Sequence, residues 1–249
     1  MSGLKSLLCG SEPPNGIAKK ALGQLGLSID TFAGKTANYL RTSGNPEILH
    51  FGSYCGRVLL ENSCAAILGR LDPFRIFYLS EFQDQSAYEV GKKAHSSFSW
   101  CGDVLPDTNS SPQLWNIDNH PAKISRALLS IHYEHIYWKP AIEAAIDYLS
   151  SSDPNPDLSE LTIVDSEKYI TQTKGKISQV YSSLSKGVHW EFFTTSLVYD
   201  ETTIQSDLQD VCTITSQLGF FSNFIPTAFS ALKPQDAVLE YLEFRRSLA

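Results

Sequence analysis

SEKYITQTKGKISQVYSSLSKGVHWEFF, residues 166–193, is the stretch whose spacing decides the fold class. Its apolar and semi-apolar residues fall at Tyr169, Ile170, Thr173, Ile177, Val180, Tyr181, Leu184 and Val188. Steps of three and four hold them on one helix face for about six turns. Asp165 or Ser166 can cap the start. Glu167 puts an acid in the first turn, where the helix dipole favours it. Gly187 loosens the end, and His189 and Trp190 follow at once. The spacing predicts the central helix of a bundle, with a histidine at its lip.

The same periodicity recurs on both sides. Residues 1–13 read as a loose arm, and Ile17, Ala21, Leu22 and Leu25 as a short helix. Asp30 caps a second helix with Phe32, Ala33, Ala37 and Leu40 on one side, stopped at Ser43–Gly44. Asn45–Pro46 and Asp72–Pro73 are both cap-then-proline starts, opening helices over 47–69 and 74–82. The first of these carries Gly52, Ser53, Gly56, Ser63, Ala65 and Ala66, small enough for close helix packing. A further helix is expected over 86–98. Gly, Pro, Asp, Asn and Ser dominate 100–120, which reads as a long loop. Pro121 starts a helix with Ile124, Ala127, Leu128, Ile131 and His135 on one face, and Pro140 kinks or breaks it.

SSSDPNPDLSE, residues 150–160, is the best linker candidate. The chain therefore reads as a single helical domain, 1–249, with lobes 1–150 and 160–249 as the alternative division. Residues 192–199 fit helix or extended chain equally. Asp200 caps a helix carrying Ile204, Leu208, Val211 and Leu218, and a last helix from Pro234 shows Val238, Leu239 and Leu242. No repeat and no long alternating run points to a sheet. The expected fold is all-α, a helical bundle of about eight to ten helices.

Bulk composition agrees. Of 249 residues, 42% are hydrophobic and 19% charged, which suits a packed core and argues against disorder. With 13 Phe, 11 Tyr and 4 Trp, aromatic rings supply much of that core. A net charge of −7 repels nucleic acid unless a local basic patch exists, and no dense Lys/Arg run is present. Cys9, Cys55, Cys64, Cys101 and Cys212 are odd in number and scattered, without a C-x-x-C pair. They read as small buried residues in a reducing cytoplasm. The apolar run near Met1 is too short for a signal peptide or a membrane span. A soluble cytoplasmic protein with no membrane role and no cofactor is expected. The Phe220, Phe221, Phe224 cluster reads as core or as an oligomer interface.

Candidate chemistry begins at Tyr181-x-x-Leu184-Ser185-x-x-Val188-His189. This pattern near the end of a long helix resembles a motif of HEPN-like helical proteins, which occur with prokaryotic phage-defence and toxin–antitoxin systems. The resemblance covers about 30 residues. It implies a helical bundle, commonly a homodimer; the acidic charge, the incomplete catalytic set and the many aromatics favour action through a protein partner. Active members of the wider group are metal-independent ribonucleases with an Arg-x4–6-His motif, so RNA is a further implied ligand. Such chemistry needs a cation on the scissile phosphate and a histidine for proton transfer. Here the nearest basic residue upstream of His189 is Lys186, and Trp190 replaces the small residue that follows the histidine. The plain alternative is that His189 ends a helix and bonds a terminal carbonyl.

Arg126 and His132 form a second match, Arg-x5-His. On a straight helix they stand about 120° apart, so they meet at one phosphate only by long reach or across a dimer. His132 and His135 are three apart and share a helix face. With His50 from the early helix they make a three-histidine metal candidate. Semi-buried, hydrogen-bonded histidines are the ordinary alternative. No P-loop, G-x-G-x-x-G, G-x-S-x-G or H-E-x-x-H is present. The leading expectation is a non-catalytic interaction subunit of a defence system. The alternatives are a ribonuclease on Arg126, His132 and His189, and a metal-binding bundle. A ribonuclease cleaves RNA in EDTA and loses this with His132→Ala; the metal bundle purifies with bound metal; an interaction subunit shows neither.

Overall fold

Helix α3, Ser53–Leu71, buries 13 of its 19 residues, so nearly every side of it faces protein. Its small side chains make this feasible. A Cβ on Gly56 would stand 2.7 Å from Leu208 Cδ2, so a larger residue there would force that side chain to shift. In the computed structural model, which describes residues 3–12, 16–42, 44–89, 97–118, 120–151, 155–189 and 200–249, the fold is all-α. Among the described residues there are ten α-helices and no strand. They are α1 Gly3–Cys9, α2 Gly16–Arg41, α3, α4 Pro73–Gln83, α5 Ile131–Tyr133, α6 Lys139–Ser150, α7 Ser159–Thr162, α8 Tyr169–His189, α9 Glu201–Ser222 and α10 Pro234–Leu248. Helices α2, α4, α8 and α9 surround α3.

The centre of the bundle is therefore α3 rather than the 166–193 helix. Helix α8 buries one stripe, Tyr169, Ile170, Thr173, Ile177, Val180 and Leu184, against α3 and α9. A single stripe marks a flanking helix; apolar and small residues all round mark an interior one. Asp165 does cap the start of α8, accepting from the Glu167 amide at 3.0 Å. Asp200 caps α9 as its sequence position implies, accepting from the Thr203 amide at 2.8 Å.

The expected loose arm over 1–13 is instead helix α1, and Leu4, Leu7 and Leu8 lie in the main core. Their spacing of three and one is helical, but seven residues cannot hold a helix without packing. The two helices expected before residue 43 are one. Buried Ala21, Leu22, Ile29, Ala33 and Ala37 keep a continuous stripe straight past Asp30. Helix α4 stops at Gln83 and 84–89 turn away, so the 86–98 helix is absent where described; 90–96 lie outside the described residues, as do 192–199. Pro121 opens only one 3-10 turn, Pro121–Lys123. Pro140 does not break its helix. A wide turn over Glu134–Trp138 lets the Lys139 amide reach the Glu134 carbonyl, five residues back, just before the ring that lacks an N–H. In α10 the buried face is Ala237, Tyr241, Leu242 and Phe244, and Leu239 is exposed. Phe220 and Phe221 are core, with Phe224 packed against them. Core residues from both sides of 150–160, among them Leu149, Leu158, Leu161 and Tyr169, share one cluster.

One buried cation ties the ends of three helices. Arg70, in the last turn of α3, is 1% exposed. It donates to Phe229 O at 2.9 Å, Leu7 O at 3.1 Å, Ser222 Oγ at 3.0 Å and Asn223 Oδ1 at 2.9 Å. Asn223 in turn donates to Leu7 O at 3.0 Å and Gly219 O at 2.8 Å. No carboxylate pairs with Arg70 among the described residues. The terminal carbonyls of α1 and the C-terminal groups of α9 take that place, the negative ends of two helix dipoles. Burial pushes the guanidinium down to about 10, still charged at neutral pH. Arg70→Met removes the donors and strands those carbonyls, so we expect a loss of about 3 kcal/mol or more of stability. Urea denaturation of the two proteins measures it.

Candidate functional site

The start of α4 organises the surroundings of Arg126 and His132. Asp72 precedes Pro73 as a cap should, yet its side chain caps no amide. Its carboxylate accepts from Arg126 Nη2 at 2.5 Å and from Tyr133 OH at 3.5 Å. Burial first, then the Asp72 charge, pushes the Tyr133 phenol up to about 12, so the hydroxyl stays a donor. One turn on, Arg75 donates to Asp103 Oδ1 at 3.0 Å and to the Ser97 carbonyl at 2.8 Å. The Ser99 amide donates to Asp103 Oδ2 at 2.7 Å. Backbone pairing completes the clasp: Leu128 N to Asp103 O at 2.9 Å and Leu129 N to Val104 O at 3.0 Å. The beginning and the end of the long loop are thus pinned to one helix start.

This pairing is why the helix expected from Pro121 does not form. The amides of Leu128 and Leu129 are held against 103–104 in a turn, closed where the Ser130 amide donates to the Ala127 carbonyl at 3.0 Å, and both leucines are buried there. Helix resumes only at Ile131, where Ser130 Oγ accepts from the Tyr133 amide at 3.3 Å. Arg126 and His132 consequently do not share a helix, and the 120° geometry does not apply. Arg126 points to Asp72, and His132 faces the loop.

His132 is 5% exposed. Its Nε2 lies 2.9 Å from the Leu114 carbonyl. A carbonyl only accepts, so Nε2 carries a proton, and in the neutral ring Nδ1 is then a bare lone pair. That Nδ1 is buried and has no hydrogen-bond partner among the described residues. The indole of Trp115 packs edge-on against His132, centroids 5.8 Å apart, and against His135 at 5.5 Å. His135 is exposed. His50 is also exposed, in a separate wide turn, Ile48–Gly52, beside Phe51. Among the described residues no group of three or more His, Cys, Asp or Glu is placed to hold a metal, so His50, His132 and His135 are not brought together.

The motif of α8 is placed in full except at its end. Tyr181 stacks flat on Trp100, centroids 4.0 Å apart with 7° between planes. Arg57 of α3 donates to Tyr181 OH at 2.9 Å and to Glu61 Oε1 at 3.0 Å. Leu184 is core, Ser185 Oγ donates back to the Tyr181 carbonyl at 2.7 Å, and Val188 is exposed. The His189 side chain lies outside the described residues. The arginine near this motif thus comes from another helix, 124 residues away in sequence. Asp72, Arg75, Asp103, Arg57 and Trp100 were not legible as site residues, because each finds its partner on a distant part of the chain.

No protein-family model, curated protein or solved structure matches this chain.

Asp103→Ala removes the acceptor of Arg75 and of the Ser99 amide. A loss of about 1–3 kcal/mol is expected, since the Arg75 donors beside it are partly buried. Amide hydrogen exchange should speed up at 97–105 and at Leu128 and Leu129 while α9 keeps its protection.

Proposed function

We propose that this chain is a helical interaction protein, working through a protein partner or a second copy and without catalysis of its own. One observation carries the reading. On α4, Phe74, Tyr78 and Phe82 stand four residues apart and stack in a row, centroids 6.0 Å apart with planes 23° and 25° from parallel. Ile76 and Leu79, on the opposite side, fill the core. Phe74 is 72% exposed and Tyr78 51%. Rigid aromatic rings of this size, set in a row in water, are the usual anchors of protein interfaces.

Two further features support it. Two of the three ribonuclease candidates already have partners, His132 buried on the Leu114 carbonyl and the exposed Arg126 on Asp72. The net charge of −7 disfavours a polyanion as the main ligand. No helix among the described residues is long and apolar enough to cross a membrane, and the cysteines are unpaired, which suits the cytoplasm. A HEPN-like role in prokaryotic defence is part of the proposal and rests on the Tyr181-to-His189 resemblance.

The double variant Phe74→Ser/Tyr78→Ser tests the reading. Both side chains are exposed, so its unfolding midpoint should match wild type. Sedimentation velocity and co-purification from the organism of origin should show an assembly with wild type that the variant loses. An identical assembly with the variant overturns the α4 face. RNA cleavage in EDTA, abolished by His132→Ala, overturns the non-catalytic reading and establishes a ribonuclease.

A further inference from the structure

We propose that His132 and His135, beside the indole of Trp115, form a two-imidazole site for one divalent d-block cation of the Zn2+, Ni2+ or Cu2+ kind. The first ground is the tautomer of His132. A ligating histidine usually donates its other ring N–H to a backbone carbonyl or a carboxylate, which fixes the ring and raises its basicity. Leu114 O already accepts from Nε2 at 2.9 Å, and Nδ1 is left as a buried lone pair with no partner among the described residues. A buried acceptor without a donor is costly in a folded protein, and a cation satisfies it directly.

The second ground is the shared indole. His132 and His135 stand nearly perpendicular to the same Trp115 ring, at 76° and 78°. Both imidazoles therefore touch one side chain, and they stand three residues apart in sequence. Trp115 is 66% exposed and sits on the long loop, so it can move aside at little cost in buried surface. Within the site the protein donors are two neutral nitrogens. Glu134, between them in sequence, lies in the field of Lys174 and Glu167, and Asp72 is occupied by Arg126 and Tyr133. Water completes the coordination shell. Neutral nitrogen donors suit borderline d-block ions and give little to Ca2+ or Mg2+, which want several oxygens.

The test uses the full-length protein, stripped with EDTA and dialysed, titrated with Ni2+ and with Zn2+ by calorimetry and by tryptophan fluorescence. We expect one equivalent to bind, with a fluorescence change. His135→Ala, whose side chain is exposed and whose fold should be intact, should bind at least tenfold more weakly, and His132→Ala likewise. His50→Ala and His120→Ala should bind as wild type does. Trp115→Phe should retain binding but lose the fluorescence response. No binding at stoichiometric metal, wild-type affinity in His135→Ala, or loss of binding in His50→Ala or His120→Ala would each overturn the site.

Discussion

The bundle depends on a buried charge, Arg70, that has no counter-ion among the described residues. Arg70 sits where α3 ends, and the chain brings the ends of α1 and α9 to it. An arginine is always charged at neutral pH and offers five N–H donors in a rigid fork. Taking it out of water is costly, so each donor must find an acceptor in the interior. Leu7, Phe229, Ser222 and Asn223 provide them. The result fixes where α1 must lie. A seven-residue helix has no stability alone, yet it is among the most deeply buried parts of the chain. Its leucines provide the apolar contact and Arg70 provides the register.

A second clasp sits at the start of α4. Asp72 and Arg75, three residues apart, each hold a charged residue of the 97–126 stretch. Trp100, at the near end of that stretch, stacks on Tyr181 of α8. Loop, α4 and α8 are thereby joined through side chains that a linear reading assigns to capping, to a turn and to a helix motif. The same clasp holds Leu128 and Leu129 in a turn and so keeps Arg126 and His132 off a common helix. The local backbone pairing decides the chemistry here: it directs the arginine to a carboxylate and leaves the histidine with a fixed tautomer and a bare nitrogen.

The molecule then presents two different surfaces. The α4 ridge offers large rigid rings to water and suits contact with protein. At the Trp115 edge the imidazole of His135 is exposed and that of His132 is buried. Phe74, Tyr78 and His135 are exposed, so variants at these positions separate function from folding.

The helical fold class and most helix positions were written in local periodicity. Ile170, Ile177 and Leu184 stand at the spacing of one helix face whatever surrounds them, and Asp165 and Asp200 cap because a short side chain reaches its own next amides. Composition set the core, the charge and the absence of a long apolar span. The interior helix also left a local mark: apolar and small residues on every side mark α3, while the single strong stripe of α8 marks a flanking helix. Nothing local could show that 3–9 would be helix, since leucines at 4, 7 and 8 stabilise a helix only when something covers them. The sites belong to the tertiary structure for the same reason. Arg57 with Tyr181, Arg70 with Leu7, Asp72 with Arg126, and His132 with Leu114 are contacts between distant residues, whose energies exist only once the chain has closed.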